Sequence, residues 1–318
     1  MNPHNQPCDC HDGHCQHHDS EGIESSKFDQ MFRLYDLHLH DEIQQAEAHA
    51  LLRSHRQEND TREVKSFLFS CLELTSLLVT DTEESILRMT EKVNRLSDLN
   101  PQLPHPAGMC IYPRFVHLVS QSLEIDGMQL ATVAGGFPSA QTFPEVKLAE
   151  TALALHDGAN EIDTVLPVGL FLSEDYDALA DEISELKEAC GEDATLKVIL
   201  ETGALRTATN VKKAALLAMY SGADFIKTST GKIEPGATTD ATYTMCQAIR
   251  DYYNHTGRRV GIKIAGGVRT TAQAVDYYTI VKATLGSDWL TPALFRIGAS
   301  SLANALLSDL SGSTVHYF

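Results

Sequence analysis

The chain has 318 residues, of which 43% are hydrophobic and 21% charged, and its formal net charge is −18 at pH 7. That length suits two ordinary domains or one large α/β barrel of about 250 residues. The acidic balance argues against nucleic-acid and anionic-membrane partners, and no apolar run approaches the roughly 20 residues of a membrane span.

The N-terminus lacks a basic region followed by an apolar stretch, so no signal peptide is expected. Three of the seven cysteines (Cys8, Cys10, Cys15) crowd that end and four are scattered singly. Such a pattern suits reduced thiols, and the expected location is cytoplasmic. A phosphorylated substrate stays open, because backbone amides and helix N-termini capture phosphate locally.

In chain order, residues 1–26 are acidic and rich in His and Cys, without the hydrophobic periodicity that packing needs. They are expected to form a disordered tail. Their spacing matches no structural zinc pattern, so no metal site is assigned there. Residues 27–64 are expected as a helical extension with Phe28, Met31, Phe32, Leu34 and Leu37 on its apolar face.

Residues 65–310 then alternate. Strands are expected at Phe67–Leu74, Met109–Tyr112, Leu130–Ala134, Glu161–Leu166, Leu196–Glu201, Asp224–Thr228, Gly261–Ala265 and Leu294–Ile297. Helical patterns follow each, at Glu83–Leu96, Pro113–Leu123, Phe143–Asp157, Ser173–Cys190, Thr207–Ser221, Thr239–Thr256, Thr270–Leu285 and Ser300–Leu310. Asp81 or Thr82 can cap the first of these, and Gly222 stands where a C′ glycine follows Ser221. Eight such pairs predict a closed parallel (β/α)8 TIM barrel. An open doubly wound sheet is the alternative, but Thr75-Ser76-Leu77-Leu78 is not its glycine-rich nucleotide loop. Residues 311–318 are expected as a mobile C-terminal tail.

On strand alternation, Glu161 and Asp163 share a face, as do Lys197 and Glu201, while Lys227 and Lys263 end two further strands. Their alternates Ile162, Val198, Leu200, Ile226, Ile262 and Ile264 are apolar, so the charged residues aim into the barrel. Two readings stand side by side. Lys227 is a strand-end lysine reaching solvent, or it is an amine whose protonation a nearby cation, Lys263, opposes. For Lys197, Glu161 and Glu201 a buried ion-pair network is the favoured reading.

Six runs carry a family resemblance: Cys110–Phe115, Gly158–Asp163, Lys197–Gly203, Asp224–Lys232, Gly266–Thr270 and Phe295–Leu302. In these the chain resembles deoxyribose-phosphate aldolase, from about Ser66 to the C-terminus. The resemblance implies reversible cleavage of 2-deoxy-D-ribose 5-phosphate to D-glyceraldehyde 3-phosphate and acetaldehyde, without metal or organic cofactor. It puts the Schiff-base lysine on Lys227, a second active-site lysine on Lys263, and a proton-relay aspartate on Asp163. It also lays the phosphate against Gly266, Gly267, Ser300 and Ser301, with Thr230 and Lys232 beside it. Tyr317, one residue from the end, is the nearest match to a C-terminal tyrosine that reaches the active site. Two positions depart from the family pattern: Ile264 where proline is expected, and Glu73 where aspartate is usual. The implied partner is a small phosphosugar, with a homo-oligomer left open.

Overall fold

A computed structural model describes residues 27–99 and 101–318. The expected tail at 1–26 lies outside the described residues. Eight strands close into a barrel in sequence order: β1 (Leu72–Thr75), β2 (Gly108–Ile111), β3 (Gln129–Ala134), β4 (Glu161–Val165), β5 (Thr195–Ile199), β6 (Phe225–Lys227), β7 (Gly261–Ala265) and β8 (Phe295–Gly298). Every pairing is parallel, and Leu72 opposite Ile297 closes the ring. A closed sheet leaves no edge to aggregate. Among the described residues, no helix is long and apolar enough to cross a membrane.

Alternation along the strands makes two separate interiors. Outward residues such as Ile162, Val198, Ile226, Ile262, Ile264 and Ile297 are buried beneath the surrounding helices in the main core. Inward residues divide by chemistry. Cys110, Ala131 and Val133 form a small apolar arc with Leu77. The remaining strands supply charge.

The loops are set by local capping. Thr82 makes a capping box, accepting from Ser85 N at 3.1 Å while its own N–H donates to Ser85 Oγ at 2.9 Å. Asp81, the other candidate cap, instead holds the loop after β1 by accepting from Ser76 Oγ and Leu78 N. Gly222 takes the expected C′ position, with φ of 104° after Ser221.

Two elements differ from the sequence reading. The run Phe67–Leu74 is not one strand: a helix, Arg62–Ser70, ends before β1 begins at Leu72. Thr61 caps that helix, and Arg62 donates to the Leu310 carbonyl at 2.6 Å. A short apolar run carries no period that separates helix from strand. The same helix runs through the expected join at residue 64. The C-terminal tail is also docked rather than free. Asn304 Oδ1 accepts from Tyr317 N at 2.8 Å and Phe318 N at 2.9 Å, and Val315 N donates to Ser308 Oγ.

The extension packs as a real part of the body. Helix Lys27–Phe32 buries Phe28, Met31 and Phe32, with Tyr176 edge-on to both phenylalanines, whereas Leu34 is exposed. Helix Asp41–Asn59 lies on the helices Thr239–Thr256 and Thr271–Leu285. Its end is fixed by buried Asn59, which donates to Thr279 Oγ1 at 3.1 Å and accepts from Lys282 Nζ at 2.7 Å. Replacing Asn59 by Leu strips both partners of a buried group, so stability should fall by about 1–3 kcal/mol. Urea unfolding of the variant against the parent checks this, and an unchanged midpoint rejects the clamp.

Candidate active site

Strand register brings the charged residues together. Asp163 on β4 lies opposite Lys197 on β5, Lys227 on β6 opposite Lys263 on β7, and Lys263 in turn opposite Arg296 on β8. Glu73 enters from β1 and Glu161 from β4. Below them the Phe225 ring closes the floor, where Gly261 makes room: a Cβ there would stand 2.4 Å from the ring. The Lys197 ammonium lies 6.0 Å from that ring's centroid, and the Arg296 guanidinium 5.8 Å, both within cation–π range.

Asp163 is the hub. Its Oδ2 accepts from Lys227 Nζ and Lys263 Nζ, each at 2.7 Å, and its Oδ1 from Lys197 Nζ at 3.1 Å. Lys197 also donates to Glu161 at 2.5 Å and lies 3.5 Å from Glu73. Lys263 pairs with Glu73, and Arg296 spans Glu73 at 3.1 Å and Glu161 at 3.1 and 3.2 Å. Glu73 therefore does on its longer arm what a shorter carboxylate would have to reach further for: it touches three cations. Four cations face three carboxylates in this cluster, nearly all of it out of water.

Burial and charge compete at each group. Burial alone would raise Asp163, but Lys197, Lys227 and Lys263 hold it well below the usual carboxylate range. Burial likewise opposes ionised Glu73, yet Lys197 and Lys263 bring it down to about 2. Burial would lower Lys263, but Asp163, with Cys110 and Glu73, keeps it well above the ordinary lysine value. Lys263 thus stays charged beside Lys227. The Cys110 thiol, 3.9 Å from Asp163, is pushed up to about 11 by burial and stays protonated. Glu73, Cys110 and Asp163 bring ligand-type atoms within 4.8 Å of one another, and the Lys263 ammonium donates to both carboxylates of the three.

Above the cluster opens a cavity of about 320 Å³ at the C-terminal ends of the strands. Of the cluster's lysines only Lys227 lines it. Thr230, Lys232, Gly266, Gly267, Ser300 and Ser301 line it as well, so the expected phosphate residues and the expected amine share one space. Gly266 (φ of 98°) cannot carry a Cβ, which would meet Ser229 Oγ at 2.2 Å, while Gly267 (φ of 82°) faces open space. Helix Ser301–Ser311 begins here and leaves its first amides without intrahelical partners.

Several details correct the sequence reading. The Ser300 hydroxyl donates to the Thr75 carbonyl and does not face the cavity as a donor. Thr228 and Ser229, the hydroxyl residues that follow Lys227, both donate to the Ala265 carbonyl, at 2.8 and 2.7 Å. They tie β6 to β7. Glu201 is not in the ion cluster: it sits beyond β5 in a left-handed conformation, and Thr230 donates to it. Tyr317 lies away from the cavity, its hydroxyl donating to the Lys92 carbonyl at 2.6 Å on the outside of the barrel. Ile264 points outward into the main core, so the missing proline leaves the lysine before it in place. Arg296 and the cavity-lining Arg269 were not singled out; alternation with apolar Phe295 and Ile297 could have revealed Arg296.

Residues 75–307 match the family described as DeoC/LacD family aldolase. The chain is 42% identical to deoxyribose-phosphate aldolase of Mus musculus over 256 residues, covering 77% of this chain and 79% of that one. It is 36% identical to deoxyribose-phosphate aldolase of Agrobacterium fabrum over 252 residues, covering 79% and 93%. The solved tetrameric deoxyribose phosphate aldolase of Aeropyrum pernix superposes with a TM-score of 0.65 at 26% identity, covering 82% and 97%.

The depressed carboxylates make stability depend on acid in a defined direction. Glu73 folds with a pKa near 2 against about 4.3 unfolded, so its contribution is fully present above about pH 4.3. It is lost as pH falls through 2. Glu73→Gln should therefore cost on the order of 3 kcal/mol at pH 7, with the gap from the parent closing between pH 4 and 2. Denaturant unfolding across that range measures it; a gap independent of pH overturns the assignment.

Proposed function

We propose the roles of these residues from one premise: the chain belongs to the DeoC/LacD family of aldolases. Its reaction is the reversible cleavage of 2-deoxy-D-ribose 5-phosphate to D-glyceraldehyde 3-phosphate and acetaldehyde. The amine that does the work is Lys227. The observation that carries this is its position: it alone among the cluster's three lysines lines the cavity, and it leans on a single carboxylate. Lys197 has three carboxylates within 4.0 Å and Lys263 has two. With Lys227 neutral, three cations face three carboxylates.

The neutral amine adds to the C1 aldehyde, and the carbinolamine loses water to give a protonated imine. That cation accepts the electron pair of the C2–C3 bond as it breaks, while the C3 hydroxyl gives up its proton and becomes the aldehyde of glyceraldehyde 3-phosphate. The two-carbon enamine is protonated at its methylene carbon, and water then releases acetaldehyde and the free lysine. Asp163, bonded to Lys227, carries protons in these steps. Lys263, charged beside it, disfavours protonated Lys227. The phosphate lies against Gly266, Gly267 and the start of helix Ser301–Ser311, within reach of Lys232.

Incubation with acetaldehyde and borohydride should leave the two-carbon adduct on Lys227. A map that places it on Lys263 or Lys197 rejects the assignment. Lys263→Leu should cut turnover at neutral pH by about 100-fold or more and move the pH profile for imine formation upward; an unchanged profile removes Lys263 from that role.

Tyr317 enters the proposal as a tail residue that must leave Lys92 and Asn304 to act. Tyr317→Phe should slow proton exchange at the acetaldehyde methyl while trapping at Lys227 persists. Exchange equal to the parent's leaves the phenol as a docking group only.

A further inference from the structure

Glu201 stands in a place that a residue with a Cβ avoids. Its backbone is left-handed, φ 56° and ψ 61°, where glycine would fit without strain, and only 1% of the residue is exposed. The side chain is what the position keeps. Its carboxylate accepts from Thr230 N at 3.3 and 3.4 Å and from Thr230 Oγ1 by a short bond. Thr230 Oγ1 in turn accepts from Lys232 N at 3.1 Å. The Lys232 ammonium reaches across the cavity to the Leu77 carbonyl in the loop after β1. A buried carboxylate is thus linked, through one threonine, to the turn that presents Lys232. Burial raises Glu201, against the opposing pull of the Thr230 bonds.

We propose that Glu201 is a positioning residue that sets the preference for a phosphorylated substrate, by fixing Thr230 and the turn Thr230–Lys232 at the phosphate end of the cavity. Glu201 touches neither the reacting carbon nor Lys227, and its effect falls on binding of the phosphate. The inference rests on the phosphate assignment made above.

Glu201→Gln tests it with little change of shape. Both carboxylate oxygens accept, so an amide mispairs either way round. With its nitrogen towards Thr230 Oγ1, the hydroxyl proton loses its acceptor; flipped, the oxygen keeps Thr230 Oγ1 without the carboxylate's charge and the nitrogen lies against Thr230 N–H. Kinetics are compared on 2-deoxyribose 5-phosphate and on unphosphorylated 2-deoxyribose, beside Lys232→Ala. The expected result is a KM for the phosphosugar raised about tenfold, with kcat and the turnover of 2-deoxyribose within about twofold. Borohydride trapping at Lys227 should be unaltered. Equal losses on both sugars, or no loss on either, overturn the proposal. Lys232→Ala reports on the underlying assignment separately: a variant that keeps its preference for the phosphosugar rejects Lys232 as a phosphate contact. Should the glutamine variant fail to fold, Glu201→Asp draws the carboxylate back from Thr230 while keeping its charge, and the same selective rise in KM is required of it.

Discussion

Everything in the barrel's interior depends on one carboxylate, Asp163, and the three ammonium groups that share it. A buried charge without a partner costs several kcal/mol, and losing one member of a buried pair costs about 3–5. Once three lysines point into a closed barrel, the carboxylates of Glu73, Glu161 and Asp163 are therefore required. Arg296 then follows, because Glu73 and Glu161 have acceptor sites that the lysines do not fill. The arrangement also explains the barrel's two-sided interior. Strands β2 and β3 supply Cys110, Ala131 and Val133, small enough to leave space for the charged side chains from the other strands.

The mouth divides its work along the same lines. Strand-end hydroxyls that look free in the sequence are spent on holding strands together: Thr228 and Ser229 on Ala265, Ser300 on Thr75. What remains open to a ligand is backbone and cation. Gly266, Gly267 and a helix start lie on one side, and Lys232 and Arg269 line the same space. Phosphate needs only those, because amides and point charges satisfy its oxygens without shaped side chains. The cavity's deeper end is where Lys227 meets Asp163.

Much of this was legible in the sequence, and the limits have physical causes. Period-two alternation located seven of the strands, because each places apolar residues under helices and β4 to β8 turn charged ones inside. Lys227, Lys263 and Asp163 were visible as charges interrupting apolar runs. Phe67–Phe69 misled because three adjacent apolar residues suit either period, and the helix is decided by Thr61 and by contacts with Leu310 and Phe295. Glu201 misled because alternation assumes an extended backbone; a left-handed residue turns its side chain out of register. No local pattern announces that a hydroxyl is already taken. Asn304's grip on the tail was hidden for the same reason, since its partners are backbone amides of Tyr317 and Phe318.

The cluster's three lysines differ in how open they are to a ligand, and that difference favours Lys227 as the proposed nucleophile. An amine reacts only when it is neutral and accessible, and the two demands usually conflict, because burial removes water and access together. The barrel separates them by depth. Lys197 lies innermost among carboxylates, and Lys263 is locked between Asp163 and Glu73, so both have every reason to keep their protons. Lys227 stands one step nearer the mouth, shares one carboxylate oxygen with Lys263, and faces the cavity. Lys227, with one carboxylate oxygen that it shares and the cavity in front of it, is the amine on which the proposed reaction calls, while Lys197 and Lys263 supply the charge around it.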